Sequence, residues 1–406
     1  MQNKTKTYWI VVIAALGYFV DIYDLVLYNV VKKASLTAIG VTGVDYQNYE
    51  ISLFNWQMIG MLLGGLIWGI LGDKKGRISV LFGSIVMYSL ANIANGLVVN
   101  IEQYIVCRFI AGVGLAGELG AGITLVSETM KREKRGIGTM IIVSFGALGA
   151  VAAATVGKMF EWQTAYFVGG GLGLILLALR AGAFESGMYN EIKSVKSVVK
   201  GNFFMLFKTK KRAFLYLQCI AIGIPIWYMI GVLINLSPRF VQISGVNSKS
   251  LVAEAVMFTY LGLSAGDVIS GILSQILKSR KKVIFIYLFL SIGLIIYFLS
   301  FNPPNLNIFR LNCFLLGLGT GYWALFVQVA AENFGTNIRS TVTNTVPNFV
   351  RGSVVPITLS FKYLESISSS KESAIIVGGI CIALALLALS FMKETFSKDL
   401  NYHEID

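Results

Sequence analysis

Long apolar runs separated by short polar segments recur along this 406-residue chain. A helix that crosses a bilayer needs about 20 predominantly apolar residues, because each residue advances it by only about 1.5 Å. Twelve runs reach that length, with approximate bounds Tyr8–Val31, Ile51–Leu71, Ile78–Val99, Gln103–Ser127, Gly136–Val156, Trp162–Ala181, Ala213–Leu236, Leu251–Leu277, Val283–Phe301, Ile308–Ala331, Val342–Phe361 and Ala374–Met392. The pattern therefore predicts an all-α membrane protein with twelve transmembrane helices.

The longest polar segment, Phe184–Arg212, divides these helices into two sets of six. Its lysines and interspersed apolar residues favour an amphipathic helix on the membrane surface. A weak internal repeat supports two halves, since Glu128 and Arg135 are echoed about 200 residues later by Glu332 and Arg339. The predicted divisions are an N-terminal half over 1–183, a cytoplasmic linker over 184–212, a C-terminal half over 213–393 and a cytoplasmic tail over 394–406.

Composition supports membrane integration, because 55% of the residues are hydrophobic and only 14% are charged, against about 25% charged in soluble domains. The net charge of +13 does not indicate nucleic-acid binding, since the basic residues lie in short loops between apolar runs. With a cytoplasmic N-terminus, 24 of the 34 Lys and Arg residues lie in inner segments and 7 in outer loops. This bias predicts cytoplasmic termini and residence in the cell inner (cytoplasmic) membrane.

The sequence offers no set of residues for catalysis or metal binding. The four cysteines lie inside apolar runs without metal or disulfide spacing, and the single histidine, His403, lies in the polar tail. No nucleophile–base pair supports an enzyme. We therefore predict no metal and no cofactor. We expect a monomer whose partners are a small-molecule substrate, protons and the lipid bilayer.

The turn between the second and third predicted helices carries the most specific motif, Gly69–Leu81, which reads GILGDKKGRISVL. Its glycines, Asp73 and Arg77 have the spacing of the signature loop of the major facilitator superfamily, which this chain resembles. The alternative is a generic basic turn. The second half echoes the motif at Gly271, with Gln275 in place of the aspartate, so we expect that loop to hold its helices less tightly.

The resemblance implies two six-helix halves that rock about a site near the middle of the membrane. In that family, Asp73 and Arg77 would fix the cytoplasmic ends of neighbouring helices in one state. The family's cytoplasmic acid motifs would place Glu185 and Glu394 near Arg135 and Arg339. The predicted conformational gate consists of Gly69, Asp73, Arg77, Glu128, Arg135, Glu332 and Arg339.

Charged residues inside the apolar runs are costly and mark candidate functional sites. Asp21 and Asp24 are three residues apart on the first helix and should share a face, whereas Arg108 and Glu118 lie on the fourth. These stretches resemble proton-coupled porters in which the matching acid and arginine couple proton to substrate. The predicted proton-coupling residues are Asp24, Arg108, Asp21 and Glu118; the alternative is a structural ion pair that joins two helices.

Arg351 resembles the arginine that faces the substrate in organic-ion and niacin-type porters, and its planar guanidinium can bind a carboxylate at two points. The alternative is that Arg351 pairs with Asp267 or a helix end, although we expect Asp267 in the loop network around Arg280. Further candidates for the substrate cavity are Asn348, Tyr322, Trp323, Gln328, Asn55, Gln57, Trp227 and Tyr228.

These observations predict a secondary active transporter that takes up a small organic anion or carboxylated metabolite together with protons, by alternating access. The fifth helix lacks the Gly-Pro pair of many drug–proton antiporters, which favours uptake. Three alternatives remain: a facilitator or symporter of amino acids or nucleosides, an organic-cation or drug exporter driven by proton antiport, and a non-transporting receptor.

Overall fold

The computed structural model describes residues 2–131, 135–182, 199–243 and 248–404, and every regular element in these ranges is a helix. The first part of the chain forms α1 (Gln2–Ala38), α2 (Gly43–Lys75), α3 (Arg77–Asn95), α4 (Ile101–Leu115), α5 (Glu118–Thr129), α6 (Arg135–Met159) and α7 (Trp162–Leu179). The second part forms α8 (Lys210–Tyr228), α9 (Ser248–Ile276), α10 (Arg280–Ser300), α11 (Leu306–Gly319), α12 (Trp323–Asn333), α13 (Arg339–Gly352), α14 (Val354–Glu365) and α15 (Ser370–Phe391).

Several helices begin at a polar residue whose side chain accepts a hydrogen bond from the first helical turn. Asn100 accepts from the Gln103 N–H, Asn305 from the Ile308 N–H and Ser279 from the Lys282 N–H. Ser369 and Glu372 form a reciprocal capping box at the start of α15. These caps satisfy N–H groups that a helix cannot bond internally.

Eleven helical segments of the described chain are long and apolar enough to cross a membrane. Three of them combine shorter elements: α4 with α5, α11 with α12, and α8 with a π-helical turn at Met229–Ile234. The predicted eleventh helix is present as α13 followed by α14, with a break at Ser353. It is too polar to count as a span by composition, because Ser, Thr and Asn fill α13.

The predicted all-α architecture is confirmed for the described residues. We refer to α1 to α7 as the N-terminal half and to α8 to α15 as the C-terminal half. Within the halves, α1 packs on α6, α2 on α4 and α9 on α11. The halves meet along two seams, α2 against α13 and α6 against α9.

The bundle has two ends. The basic face carries the loops at Lys74–Gly76 and Ser279, together with the tail 393–404. The opposite face carries the turns at Gly40–Thr42 and Ser366–Ser369.

Most of the predicted linker, residues 184–198 with Glu185, lies outside the described residues. Its last part forms a 3₁₀ turn at Phe203–Phe207, and the Phe203 ring contacts Tyr216 of α8 and Phe349 of α13. The division of the chain at this linker stays a prediction.

Candidate functional site

The polar helix α13 lies between the halves, against α2 and α5 on one side and α8 on the other. All its residues from Arg339 to Asn348 are buried. Thr343 shares a hydroxyl hydrogen bond with Thr124, and the Asn348 amide donates to the Ala116 carbonyl at 3.0 Å. Because polar groups are costly in hydrocarbon, this helix is suited to a protein interior rather than to lipid contact.

Near the basic face, Asp73 of α2 binds the first turn of α13. Its carboxylate accepts from the N–H groups of Ser340 at 2.9 Å and Thr341 at 2.8 Å, and from the Thr341 hydroxyl at 2.7 Å. A carboxylate at a helix N-terminus receives free N–H groups and the positive end of the helix dipole. Asp73 therefore joins the two halves.

A buried cluster of charges continues this contact. Glu128 accepts from Arg77 at 2.8 Å in its own half and from Arg339 of the other half at 3.0 Å. Arg77 also donates to the Thr336 carbonyl across the seam at 2.9 Å. At Gly69, a β-carbon would lie 2.8 Å from the Thr341 Cα, so only glycine allows this approach of α2 to α13.

The second half repeats the arrangement with a difference. Arg280 pairs with Glu332 at 3.4 Å, as Arg77 pairs with Glu128. Gln275 lies where Asp73 lies in the first half, since its amide nitrogen would meet a β-carbon at Gly136 near the start of α6. That nitrogen has no acceptor among the described residues. The α6–α9 seam therefore has a neutral amide where the α2–α13 seam has a carboxylate.

The tail 393–404 covers the basic face of the seam. Leu400 accepts from Arg339 at 2.6 Å, and Lys398 accepts through its carbonyl from Arg135 at 3.3 Å. The expected contact of Glu394 with Arg339 is wrong: the carboxylate accepts from the Ser279 hydroxyl and the Arg280 N–H at the start of α10. Burial raises the pKa of Glu394, but the hydrogen bonds outweigh burial and hold that pKa below its ordinary value.

Two acid–arginine clusters lie deeper in the bundle. The first stays within the N-terminal half, where Arg108 of α4 donates to both Asp24 oxygens at 3.2 Å. The Gln57 amide donates to Asp24 at 2.6 Å, and its carbonyl accepts from Arg108. The Arg108 guanidinium also lies 4.7 Å from the centre of the Tyr28 ring. The predicted proximity of Asp24 and Arg108 is thus present in the structure.

The second cluster bridges the halves. Arg351 of α13 donates to one Asp21 oxygen at 2.8 Å and to the Asn348 carbonyl oxygen at 3.3 Å. The other Asp21 oxygen and the Arg351 Nε have no partner among the described residues. Asp21 and Asp24 were predicted to share a face, yet they reach different partners on different helices.

Arg351 lines a small cavity between the halves, about 10 Å³ in volume, which is room for roughly one water molecule. The Trp323 ring lies 5.4 Å from its guanidinium, and Trp227 packs against Trp323. The remaining lining residues are Tyr18, Ile22, Leu25, Ile226, Ile230, Tyr260 and Leu263. A larger ligand would require the halves to separate here.

Sequence reasoning missed Tyr18 and Tyr260 in this lining. A usable signal existed for Tyr18, because it precedes Asp21 by three residues and so shares its helix face.

Four predicted cavity residues point elsewhere. Tyr228 donates to the Ala374 carbonyl on α15, and Tyr322 donates to the Ile222 carbonyl on α8. Gln328 donates to Glu332 near the basic face, and Asn55 lines an open cavity at the opposite face. Apolar periodicity locates helices but does not fix which face of each helix meets the centre.

Two other buried acids have partners that the sequence did not indicate. Glu118 pairs with Arg180 at the end of α7 and accepts from the Ser84 hydroxyl at 2.6 Å. Asp267 accepts from the Ala324 N–H at the start of α12 at 2.9 Å. Both alternatives for Asp267 were wrong, because it caps a helix inside the bundle instead of joining Arg280 or Arg351.

At the opposite face the halves stand apart. Two adjoining cavities of about 440 and 820 Å³ lie between α1, α2 and α6 of one half and α9, α14 and the Asn235–Arg239 segment of the other. We call these two cavities together the vestibule. The conformation is therefore closed at the basic face and in the centre, and open at the opposite face. Among the described residues, no group of three His, Cys, Asp or Glu side chains could hold a metal ion.

Two helical halves with charged residues buried between them, open at one face and closed at the other, define a multi-pass membrane transporter. A family model described as Major Facilitator Superfamily matches residues 14–357. The chain belongs to this superfamily, so it is a transporter and not an enzyme.

Comparison with individual proteins supports the same family membership. The chain is 26% identical to the putative niacin/nicotinamide transporter NiaP of Bacillus subtilis, over 84% of this chain and 86% of that protein. It is 27% identical to the 3-(3-hydroxy-phenyl)propionate transporter of Escherichia coli, over 72% of each. The structure resembles the proton:xylose symporter XylE bound to 6-bromo-6-deoxy-D-glucose, with a TM-score of 0.77, 16% identity and 98% of both chains covered. At that identity the likeness is one of fold.

Proposed function

We propose that this transporter takes up a small organic anion, such as an aromatic or other carboxylate, together with protons. The observation that carries the proposal is Arg351, a buried guanidinium at the interface of the halves beside two tryptophans. Relatives named for niacin and for hydroxyphenylpropionate support the substrate class.

Arg351 suits a carboxylate because Asp21 satisfies only part of its hydrogen-bonding capacity in the present conformation. Asp21 uses one oxygen, and the Arg351 Nε is left without an acceptor among the described residues. A substrate carboxylate can offer two oxygens to the fork of the guanidinium. The aromatic rings of Trp227 and Trp323 provide apolar surface for the rest of the molecule.

Asp21 is the residue that we assign to proton coupling. When a substrate carboxylate binds Arg351, Asp21 is left buried beside a second anion. Two carboxylates at one site do not both stay ionised, so substrate binding favours protonation of Asp21. Release of the substrate on the other side returns Arg351 to Asp21 and frees the proton.

The Asp24 cluster is the second candidate for the proton. Its carboxylate has partners on both oxygens and contacts no described cavity, so we assign it the weaker coupling role. The same pairing argues against an organic-cation exporter, because each acid of α1 already has an arginine partner.

The test of substrate class uses purified protein in liposomes, with benzoate and the neutral benzamide as matched probes. Arg351→Ala should weaken benzoate uptake at least about tenfold, since a hydrogen bond to a charged group contributes roughly 1.5–3 kcal/mol. Benzamide uptake should change little. An equal loss for both compounds would remove the anion argument.

The test of coupling compares accumulation with exchange. Asp21→Asn should abolish accumulation of benzoate driven by a proton gradient and spare counterflow, because an amide carries no titratable proton. Asp24→Asn serves as the matched variant and should retain part of the accumulation. Accumulation that survives both substitutions would refute the assignment of proton coupling to these two acids. Uptake that does not depend on pH would instead favour a facilitator.

A further inference from the structure

The vestibule is lined by five cationic side chains. Lys32 and Lys33 come from α1, Lys158 from α6, Arg239 from the segment after α8 and Lys362 from α14. No aspartate or glutamate lines either cavity among the described residues. The vestibule therefore concentrates one sign of charge between the two halves.

This concentration runs against the charge bias of the whole chain. Basic residues avoid the outer side of membrane proteins, and only seven were assigned there from the sequence. Five of those seven line the vestibule, and the other two are Lys249 and Lys371. The exceptions to the rule are thus gathered at the entrance instead of being spread over the opposite face.

Part of this charge is neutralised by neighbouring acids. Arg239 pairs with Glu365, and Lys158 lies 3.5 Å from Glu254, which also accepts from Arg310 at 2.9 Å. Lys33 and Lys362 have no salt bridge among the described residues. Both are exposed, so their charges remain in the water of the vestibule.

The walls also suit a small organic molecule. Asn29, Asn55 and Asn235 supply amide groups, and Phe54, Val354 and Leu359 supply apolar surface. The smaller cavity alone, at about 440 Å³, falls within the usual range of roughly 300–1,000 Å³ for ligand pockets. The cavity at Arg351 is closed to anything larger than about one water in the same conformation.

We propose that the vestibule is a first binding site for the anionic solute, occupied before the solute reaches Arg351. This inference rests on the proposed function. Clefts with one sign of charge raise the local concentration of an opposite charge and its rate of association. An aromatic carboxylate is held there by Lys33 and Lys362 and by the asparagine amides, and it passes to Arg351 when the centre opens.

Direct binding tests this site without requiring transport. The probe is 8-methoxypyrene-1,3,6-trisulfonate, a fluorescent anion far too large for the closed centre. Its anisotropy is measured on purified protein in nanodiscs of neutral phosphatidylcholine. The double variant Lys33→Gln/Lys362→Gln should weaken binding at least about fivefold at low salt, and the difference should shrink at high salt.

Two single variants serve as controls. Lys371→Gln removes a charge from the same face outside the vestibule, and Lys131→Gln removes an exposed charge near the basic face. Both should bind the probe as the unmodified protein does. Equal affinity in the double variant and the controls would overturn the site. So would displacement of the probe by phosphatidylglycerol at constant salt, which would assign the lysines to lipid headgroups.

Initial uptake rates separate this proposal from the one on which it rests. The double variant should raise the KM for benzoate several-fold at low ionic strength, leave kcat unchanged and leave benzamide uptake unaffected. If the unmodified protein does not take up benzoate, the proposed function fails. If benzoate enters and the double variant has an unchanged KM, the vestibule site alone fails.

Discussion

At the scale of residues, the buried arginines of this bundle are matched by carboxylates. Arg108 faces Asp24, Arg180 faces Glu118 and Arg351 faces Asp21, all essentially without solvent exposure. An unpaired charge in such a place is strongly destabilising. These three pairs differ in position, because of the three only the Arg351 pair spans the two halves.

Glu118 is predicted to have a structural role, since its partner Arg180 lies within the same half, away from the described cavities. Glu118→Gln should lower the free energy of unfolding by about 3–5 kcal/mol, because it leaves Arg180 buried without a countercharge. Thermal unfolding in detergent measures this loss. Glu365→Gln, which breaks the partly exposed pair with Arg239, is the control and should cost at most about 1 kcal/mol.

The double variant Glu118→Gln/Arg180→Gln separates structure from coupling. It removes both charges, so it should regain most of the stability and keep proton-driven accumulation. Loss of accumulation in a well-folded double variant would return Glu118 to the coupling residues.

Sequence reasoning identified the charged residues of these pairs but did not always identify which residue each one pairs with. Asp24 and Arg108 were matched because the motif on each helix indicated the other. Asp21 and Arg351 were not matched, since spacing along one helix does not give the rotation of another helix 330 residues away. Glu118 was assigned to coupling because it is an acid inside the fourth apolar run. Its partner Arg180 was missed because that arginine lies at a predicted helix end.

At the scale of elements, α13 depends on its neighbours for polar contacts. Its N-terminus is capped from the other half by the Asp73 carboxylate, which accepts from the Ser340 and Thr341 N–H groups and the Thr341 hydroxyl at 2.9 Å or less. The corresponding seam at α6 has the amide of Gln275. The expectation that this second loop holds less tightly stays a prediction, and the missing acceptor of Gln275 agrees with it.

Asp73→Asn should open the α2–α13 seam, because the helix N-terminus loses a charged acceptor. Charged hydrogen bonds contribute roughly 1.5–3 kcal/mol, so opening should become at least about tenfold more frequent. A cysteine at the buried Ser340 reports it through its rate of alkylation by N-ethylmaleimide. The matched variant Gln275→Asp should instead strengthen the α6–α9 seam and slow that alkylation, and an unchanged rate in both variants would refute the gate.

At the scale of the whole molecule, the two halves meet along two corresponding seams. They are in contact at the basic face and stand apart at the opposite face. The helix count, the order of elements and the loop motif were predictable, because hydrophobic length and a specific signature determine them. The state of the molecule was not. Closure depends on contacts between distant helices, such as Arg339 with Glu128, that no local pattern encodes.

A reversible cross-link tests whether the closed seam must open during transport. A β-carbon at Gly72 would lie 3.0 Å from the Ser340 Cβ, which is shorter than the roughly 3.5–4.5 Å of a disulfide, so the cross-link forms once α2 and α13 move slightly apart. Gly72→Cys/Ser340→Cys should therefore lose uptake on oxidation and regain it on reduction. Each single variant is the control, and continued uptake by the oxidised double variant would contradict alternating access at this seam.

The polarity of α13 has a consequence for biogenesis. Side chains rich in hydroxyl and amide groups insert poorly when a translocon offers a segment alone to lipid. Insertion of this helix therefore requires that earlier helices, α2 and α5 among them, are already in the bilayer and can contact its polar side chains. Its entry is a cooperative step, which makes this stretch the place where a small change in the nascent chain would most readily misdirect topology.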